Sequence, residues 1–296
     1  MSDTSLPKEL AGAFPKRSAD ANKRTVGTVC AIGGSARYVN APVIAALGAR
    51  ASGAGLVHLV VPDASRIPAG SLVPEATFSK LTPTFVPPRA DVFVAGMGLG
   101  VTVSSEATVS RLISGASGRF VLDADALAVL ALWYGSKKGG YAPAQGQQTV
   151  LTPHAGEAAK LLGCTVDVVN ADRLAAAKEI AARYDATVVL KSERTIVVSR
   201  DGGRIYENRT GNPFMALGGM GDLLAGAIGA RWAYLKGDPF LAASSATWLH
   251  SAASDAVVAE FGDPSVANTA AKIGSLRVRM EVAGACRPSR SLTQST

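Results

Sequence analysis

The sequence predicts an α/β fold with a mainly parallel central sheet covered by helices on both faces. Three observations carry that expectation. From Val26 onward, short β-branched runs are each followed by an Ala/Leu-rich stretch at helical spacing; glycine-rich turns separate the two; and 48% of the 296 residues are apolar against 18% charged. A chain of this length can bury roughly three quarters of its unfolded surface, and the composition excludes disorder for the body of the chain.

Taken in order, strands are expected at residues 26–32, 56–61, 91–95, 119–122, 149–151 and 187–190, each a short apolar run rich in Val, Ile, Leu or Phe. Two more, 195–199 and 204–207, are joined by Asp201-Gly202-Gly203 and read as a hairpin. Helices are expected at 41–51, 104–114, 125–132, 155–162, 171–184, 221–235 and 240–261, where Ala and Leu recur with helical period. Ala41-Pro42 suits a helix start, and Thr152-Pro153 reads as an N-cap followed by proline in the first helical position. Residues 135–148 (GSKKGGYAPAQGQQ) carry no apolar periodicity and are expected as a surface loop. No internal repeat is visible.

Length alone sets a soft prior of two domains, but single α/β domains reach this size. The expected organisation is an N-terminal extension at 1–24, one domain at 25–283 and a disordered Pro/Ser/Arg tail at 284–296. Of the net charge of +7, +2 falls in 1–24 and +4 in 272–296, so the surplus reads as solvated ends and not as a basic face for nucleic acid. Cys30, Cys164 and Cys286 have neither disulfide-framework nor zinc spacing, which fits a reducing, cytoplasmic setting. The chain shows no signal-peptide h-region and no apolar stretch long enough for a membrane span, so no membrane partner is expected.

In such a sheet ligands collect at the carboxyl ends of the strands, in the turns that lead to helices. Four turns have unusual composition. Gly33-Gly34-Ser35 leaves N–H groups able to meet an anion, and reads equally as a plain tight turn. Gly96-Met97-Gly98-Leu99-Gly100 fails the dinucleotide fingerprint, because its third glycine would fall on Val101. Thr152-Pro153-His154-Ala155-Gly156-Glu157 sets an imidazole and a carboxylate at a helix start; His154 by itself reads equally as a surface residue or a ligand contact. The fourth, running from Asn212 through Gly218, Gly219, Met220 and Gly221 to Asp222, has more glycine than capping alone requires. There a carboxylate beside an anion-binding loop is the arrangement that takes a proton from a hydroxyl while the loop holds a phosphoryl group. His58 and His250 sit inside an apolar strand and an Ala/Ser-rich helix, and read as packed or surface residues.

In order, GTVCAIGGSARYVNAPVIAALGARASGAGLV, DVFVAGMGLG, VLDADAL, LTPHAGEAAKLLG, TVVLKSERTIV and NRTGNPFMALGGMGDLLAGAIGA resemble the ADP- or ATP-dependent NAD(P)H-hydrate dehydratases of the ribokinase-like superfamily. The resemblance runs from about Val26 to about Glu260. It implies a three-layer α/β/α sandwich and an enzyme that phosphorylates the hydroxyl of the hydrated nicotinamide ring of the S form of NAD(P)H hydrate. Phosphate then leaves and NAD(P)H is restored. It further implies ADP or ATP as co-substrate, Mg²⁺ as cofactor, a homo-oligomer, often a tetramer, and a separate epimerase in the same repair pathway.

Carried over by position, Asp222 is the base and contacts the hydrate, and Ala41, Gly98 and His154 line the hydrate pocket. Lys191, Ser192, Glu193, Arg194 and Thr195 contact the nucleotide, and Asn212, Gly218, Gly219 and Gly221 lie at its phosphates. Met97 replaces a common proline, Met220 the usual threonine of G-G-T-G-D, and Ser192-Glu193-Arg194 the small residues between Lys191 and Thr195. Two alternatives stay open: a small-molecule kinase of the same superfamily, acting on hydroxymethylpyrimidine or hydroxyethylthiazole, and a nucleotide-binding protein that has lost catalysis. Bacterial-type T-P-H-x-G-E at Thr152–Glu157 favours ADP.

Overall fold

The computed structural model describes residues 5–114, 118–135 and 147–284, so most of the loop expected at 135–148 and of the tail expected at 284–296 lies outside the described residues. Among the described residues nine strands form one sheet: β1 (Thr28–Ile32), β2 (Leu56–Val61), β3 (Thr77–Lys80), β4 (Val92–Ala95), β5 (Arg119–Leu122), β6 (Gln148–Leu151), β7 (Thr187–Leu190), β8 (Ile196–Val198) and β9 (Ile205–Glu207). Their order is β3-β2-β1-β4-β5-β6-β7-β8-β9. All neighbours from β3 to β7 are parallel, and β8 and β9 add the expected antiparallel hairpin at one edge. The chain starts in the middle at β1, runs outward to β3, then returns to β4 on the other side. The winding therefore reverses between β1 and β4, which opens a crevice at their carboxyl ends.

Among the described residues ten α-helices cover the sheet: α1 (Ala41–Ala51), α2 (Arg66–Leu72), α3 (Val103–Ser114), α4 (Asp125–Gly135), α5 (Ala155–Leu162), α6 (Val166–Ala171), α7 (Arg173–Tyr184), α8 (Met220–Leu235), α9 (Pro239–Phe261) and α10 (Val266–Gly284). Side-chain alternation along β1 sends Val29 and Ala31 into a core beneath α1, α8, α9 and α10, and Cys30 and Ile32 into a second core beneath α3, α4, α5 and α7. The result is the three-layer sandwich that the resemblance implies. Between α1 and α8 the backbones themselves meet: a Cβ on Gly48 would overlap the Leu223 carbonyl oxygen, and one on Gly226 the Ala45 carbonyl oxygen. These two glycines set how closely the helices approach, and α1 and α8 both begin at the carboxyl edge of the sheet.

Three short elements, β3, α2 and α6, lie outside the sequence pattern, and for β3 and α6 the structure gives a physical reason. Strand β3 (TFSK) is mostly exposed and has one apolar residue. Polar pairing holds it instead, since the His58 ring on β2 bonds Thr77 Oγ1 at 2.7 Å and Ser79 Oγ at 2.8 Å. The expected helix at 171–184 starts two residues later as α7, because the Asp172 carboxylate accepts from Ala175 N at 2.8 Å and caps it; that cap also separates it from the unexpected α6.

The solvated-end reading of the charge is corrected at the C-terminal end; at the N-terminal end Lys8, Glu9, Lys16 and Lys23 are exposed as expected, but the segment that carries them is packed. Leu10, Ala13 and Phe14 are buried, with the Phe14 ring edge-on to Trp248 at 5.7 Å. Part of the stretch counted as a charged tail is α10, and two of its charges point inward. Arg231 on α8 is wholly buried; it donates to Glu281 Oε1 at 3.2 Å and to the Ala13 carbonyl, while Arg277 Nη1 donates to Glu281 Oε2 at 2.7 Å. Charge counting misses this because a buried pair contributes to net charge as a surface residue does. Burial, then repulsion from Arg277, lower the Arg231 pKa to about 10, against the pull of Glu281.

Because removing one partner leaves the other charge buried and uncompensated, Glu281→Ala is expected to cost about 3–5 kcal/mol of unfolding free energy. Urea titration measures it, and an unchanged midpoint would contradict the assignment of Glu281 as the counter-ion of Arg231.

Candidate functional site

The residues singled out in the sequence gather at the carboxyl edge of the sheet. Strand β7 is followed directly by Lys191, whose backbone N–H donates to the Pro153 carbonyl at 2.8 Å. That bond prolongs the β6–β7 pairing past the strand, and His154 and Lys191 form an isolated parallel bridge. Thr152 and Pro153 therefore belong to the strand exit, and the expected N-cap at Thr152 is corrected: the cap of α5 is His154. Its Nδ1 accepts from Gly156 N at 3.0 Å and Glu157 N at 3.3 Å, while Glu157 Oε2 accepts from His154 N at 2.8 Å, a reciprocal capping box. With Nδ1 an acceptor, a neutral His154 ring carries its proton on Nε2, 3.5 Å from Glu157 Oε1.

The Lys191 side chain turns inward. Its Nζ lies 2.8 Å from Asp123 Oδ1 and 3.8 Å from Glu157 Oε2. Burial opposes its charge, but Asp123 and Glu157 outweigh that and hold the ammonium above its usual range. Asp123 follows β5 directly, and the next residue, Ala124, has φ of 52°, an uncommon backbone for a residue with a Cβ. Beyond it Asp125 Oδ2 accepts from Gly100 N at 2.7 Å and ties the Gly96–Gly100 turn to this one.

Helix α8 begins after Gly219 in the left-handed conformation, φ 92°, and no side chain caps it. Its first turn carries Asp222, and Met220 and Gly221 of that turn line the cleft. Burial, then the Asp123 carboxylate, push the Asp222 carboxyl up to about 7, with Lys191 pulling the other way. A Cβ built on Gly221 would lie 3.5 Å from Lys191 Nζ and 3.8 Å from Asp123 Oδ2. Amine, carboxylates and helix start thus share one small volume.

From that volume a cleft of about 670 Å³ opens between the β8–β9 hairpin, the 211–217 loop and α9. Lys191, Ser192, Glu193, Thr195, Asn212 and Gly221 line it together with His154. Arg194 does not: its guanidinium pairs with Glu207 at 3.3 Å, largely exposed. Gly218 has open space around it, and a Cβ on Gly219 would meet Ile44 of α1 at 2.8 Å. Gly98 and Ala41 are brought together on the far side of the α8 start, a Cβ on Gly98 lying 3.2 Å from the Ala41 Cβ.

Several polar residues of the site were not singled out in the sequence. Asp123 and Asp125 sit in VLDADAL, where an acid between strand and helix looks like a cap. Asn208, Thr210, Ser251 and Asp255 fasten the cleft loop to α9: Asn208 Nδ2 bonds Ser251 Oγ at 2.8 Å, and Asp255 accepts from Gly211 N and Asn212 Nδ2, each at 2.8 Å. His250, read as packed or surface, is buried in the cleft wall. Among the described residues no group of three His, Cys, Asp or Glu side chains is arranged to hold a metal ion, and no helix is long and apolar enough to cross a membrane.

A family model described as NAD(P)H-hydrate dehydratase matches residues 29–274. The ADP-dependent (S)-NAD(P)H-hydrate dehydratase of Neisseria meningitidis serogroup B is 38% identical over 249 residues, covering 82% of this chain and 81% of that one. The bifunctional NAD(P)H-hydrate repair enzyme of Gloeobacter violaceus is 38% identical over 261 residues, 84% of this chain but 49% of the relative; the chain spans about half the length of such bifunctional relatives. Among solved structures, the ADP/ATP-dependent NAD(P)H-hydrate dehydratase of Bacillus subtilis, co-crystallised with ATP and Mg²⁺, superposes with a TM-score of 0.81 at 27% identity, covering 92% of this chain and 96% of that one.

The raised Asp222 pKa has a signed consequence for stability. A carboxyl at 3.8 when unfolded and about 7 when folded costs nothing while both states hold the proton, and destabilises the fold as pH rises from about 4 to 7. Asp222→Asn is therefore expected to be more stable than the parent by about 2–4 kcal/mol above pH 7, with the difference vanishing below about pH 4. Urea unfolding at pH 4 and pH 8 checks it; a difference independent of pH would show that Asp222 ionises normally.

Proposed function

The chain belongs to the NAD(P)H-hydrate dehydratase family, and we propose that it uses a nucleotide to return the S form of NAD(P)H hydrate to NAD(P)H. The observation that carries the reading is the Asp222 carboxylate in the first turn of α8, beside the Lys191 amine, with the nucleotide-sized cleft on one side and the Ala41–Gly98 contact on the other.

In this reading the ring hydroxyl of the hydrate lies at Asp222, with Ala41, Gly98 and His154 around the nicotinamide. Asp222 takes the hydroxyl proton as the oxygen attacks the terminal phosphorus of the nucleotide, and the bond from that phosphorus to the bridging oxygen breaks. The phosphate ester then leaves with its C–O electron pair, and loss of a ring proton restores the dihydronicotinamide. Lys191 and the N–H groups at Gly218, Gly219 and Gly221 offset the charge on the transferring phosphoryl group, and Asn212 with the Ser192–Thr195 turn holds the nucleotide. A base poised near the working pH suits this step.

Mg²⁺ has no ready-made protein cage among the described residues. It fits as an ion carried by the nucleotide phosphates, where it would offset their charge. Two unpaired thiols, Cys30 and Cys164, agree with a cytoplasmic setting. The proposal also includes a homo-oligomer, and a separate epimerase that supplies the S form.

ADP is the proposed nucleotide. Glu193 lines the cleft while Arg194 is turned away to Glu207, so the acid and not the base faces the ligand. Each added phosphate charge meets repulsion of about 1 kcal/mol at surface-like screening. The expected outcome is a higher kcat/KM with ADP than with ATP on hydrated NADH in the presence of Mg²⁺, narrowed roughly fivefold in Glu193→Gln. A preference for ATP would overturn the choice of nucleotide, and absence of NADH recovery with either would overturn the function.

Two substitutions separate base from anion site. Asp222→Asn is expected to lose about 10²–10⁴-fold in kcat with nucleotide affinity nearly intact. Gly221→Val, which places carbon beside Lys191 Nζ, is expected to lose nucleotide binding in calorimetry. An Asn variant with parental kcat removes Asp222 from the base role, and unchanged affinity in the valine variant removes Gly221 from the phosphate site.

A further inference from the structure

Two buried side-chain atoms in the cleft wall have no hydrogen-bond partner among the described residues: His250 Nε2 and Asn212 Oδ1. The polar groups around them are engaged. Asn208 Nδ2 bonds Thr210 O and Ser251 Oγ, each at 2.8 Å, and Ser251 Oγ donates to the Thr247 carbonyl at 2.8 Å. Asn212 Nδ2 donates to Asp255 Oδ1 at 2.8 Å and Ser254 Oγ at 3.2 Å. His250 donates to the Met220 backbone carbonyl at the start of α8, and because Nε2 has no partner the donor is Nδ1. Both orphans are therefore acceptors.

That polarity selects the chemistry of what lies against them. A phosphate at neutral pH offers further acceptors and would face two lone pairs with no donor between. The donors of this cleft are elsewhere, at Lys191 and the glycine-lined start of α8. A buried acceptor left without a donor is costly, so the wall at His250 matches a neutral O–H or N–H group. Within a nucleotide such groups belong to the ribose and to the exocyclic amine of the base.

We propose that His250 recognises the nucleoside: its Nε2 accepts a hydrogen bond from a ribose hydroxyl or from the exocyclic base amine of the bound nucleotide, and so orients the phosphates toward Lys191 and Asp222. The inference rests on the nucleotide-dependent reading above and adds a specificity residue to it. Burial lowers the His250 pKa to about 4, so the ring stays a neutral acceptor throughout the working range.

Calorimetric titration of the whole chain with ADP tests it, using the parent, His250→Phe and His250→Gln, and three analogues: 2′-deoxy-ADP, 3′-deoxy-ADP and N6,N6-dimethyl-ADP. His250→Phe is expected to weaken ADP about tenfold, and His250→Gln, which keeps an acceptor, to recover part of that loss. One analogue should lose a similar factor against the parent and nothing further against His250→Phe, which identifies the donor. Equal affinity of parent and Phe variant for ADP, or analogue losses that are the same in both, overturns the proposal. Should the Phe variant fail to fold, the parent series still decides, since three analogues that bind like ADP overturn it. ADP binding without NADH recovery leaves His250 in place and removes the dehydratase reading, whereas a parent that binds no ADP removes both.

Discussion

Two helices touching backbone to backbone set the geometry of everything at the active end of this fold. Helices packed through ordinary side chains lie about 8–10 Å apart. Where α1 meets α8, Gly48 and Gly226 remove the intervening side chains, and each glycine faces a carbonyl oxygen of the other helix. The start of α8, with Asp222, is thereby drawn beside the start of α1, with Ala41. A larger residue at either glycine would push α8 outward and with it the carboxylate, away from an amine that is itself fixed to the end of β7. The close contact is structural, and its product is a distance between functional groups.

Electrostatics inside that frame follow from the number of charges and the shortage of water. Asp123, Glu157 and Asp222 surround Lys191, three acids to one base in a buried setting. A single ammonium cannot stabilise three carboxylates equally. Geometry decides the share: Asp123 holds Lys191 at 2.8 Å, Glu157 stands at 3.8 Å and is also engaged in capping α5, while Asp222 feels the Lys191 charge without an ion pair to it. The proton affinity of Asp222 thus arises from burial first and from the Asp123 carboxylate second, with the pull of Lys191 too small to cancel them. The same fixed pair keeps Lys191 charged where a phosphoryl group would arrive.

Much of this was legible in the chain, and what was not had a common cause. The parallel core strands, the edge hairpin and the helix from 221 are read from apolar runs and glycine turns, because burial on both faces leaves an unbroken apolar signal. The α10 helix and the N-terminal segment were taken for solvated ends because Arg231, Arg277 and Glu281 look like any surface charges until α8 and α10 cross. Asp123 was hidden by the ordinary use of acids at helix starts, and the Thr152 cap was misplaced because the bond from Lys191 N to the Pro153 carbonyl is made by a distant strand. His250 could not have been read at all. Its free lone pair exists only because its other nitrogen reaches a carbonyl on the neighbouring helix.

The three departures from the family pattern can now be weighed by which atoms they change. Met97 is buried, and what it contributes to the site region is its carbonyl, which accepts from Gly34 N at 2.8 Å. Proline in that place would offer the same carbonyl. Met220 removes a hydroxyl from the α8 start, yet in the proposed function the phosphate there is met by backbone N–H donors, and the Met220 carbonyl still anchors His250. In the Ser192–Thr195 turn the loop is closed by Thr195 Oγ1, which accepts from Ser192 N at 3.3 Å and donates to Ser192 O at 3.0 Å; Glu193 and Arg194 are carried on it and do not build it. All three changes fall on side chains, in places where the backbone does the positioning. The side chains to which the proposed chemistry is assigned, Asp222 and Lys191, are both kept. On the proposed reading, drift of this kind would alter which nucleotide fits and how tightly while leaving the means of transfer in place, so the departures weigh toward altered preference and against the alternative of a protein that has lost catalysis.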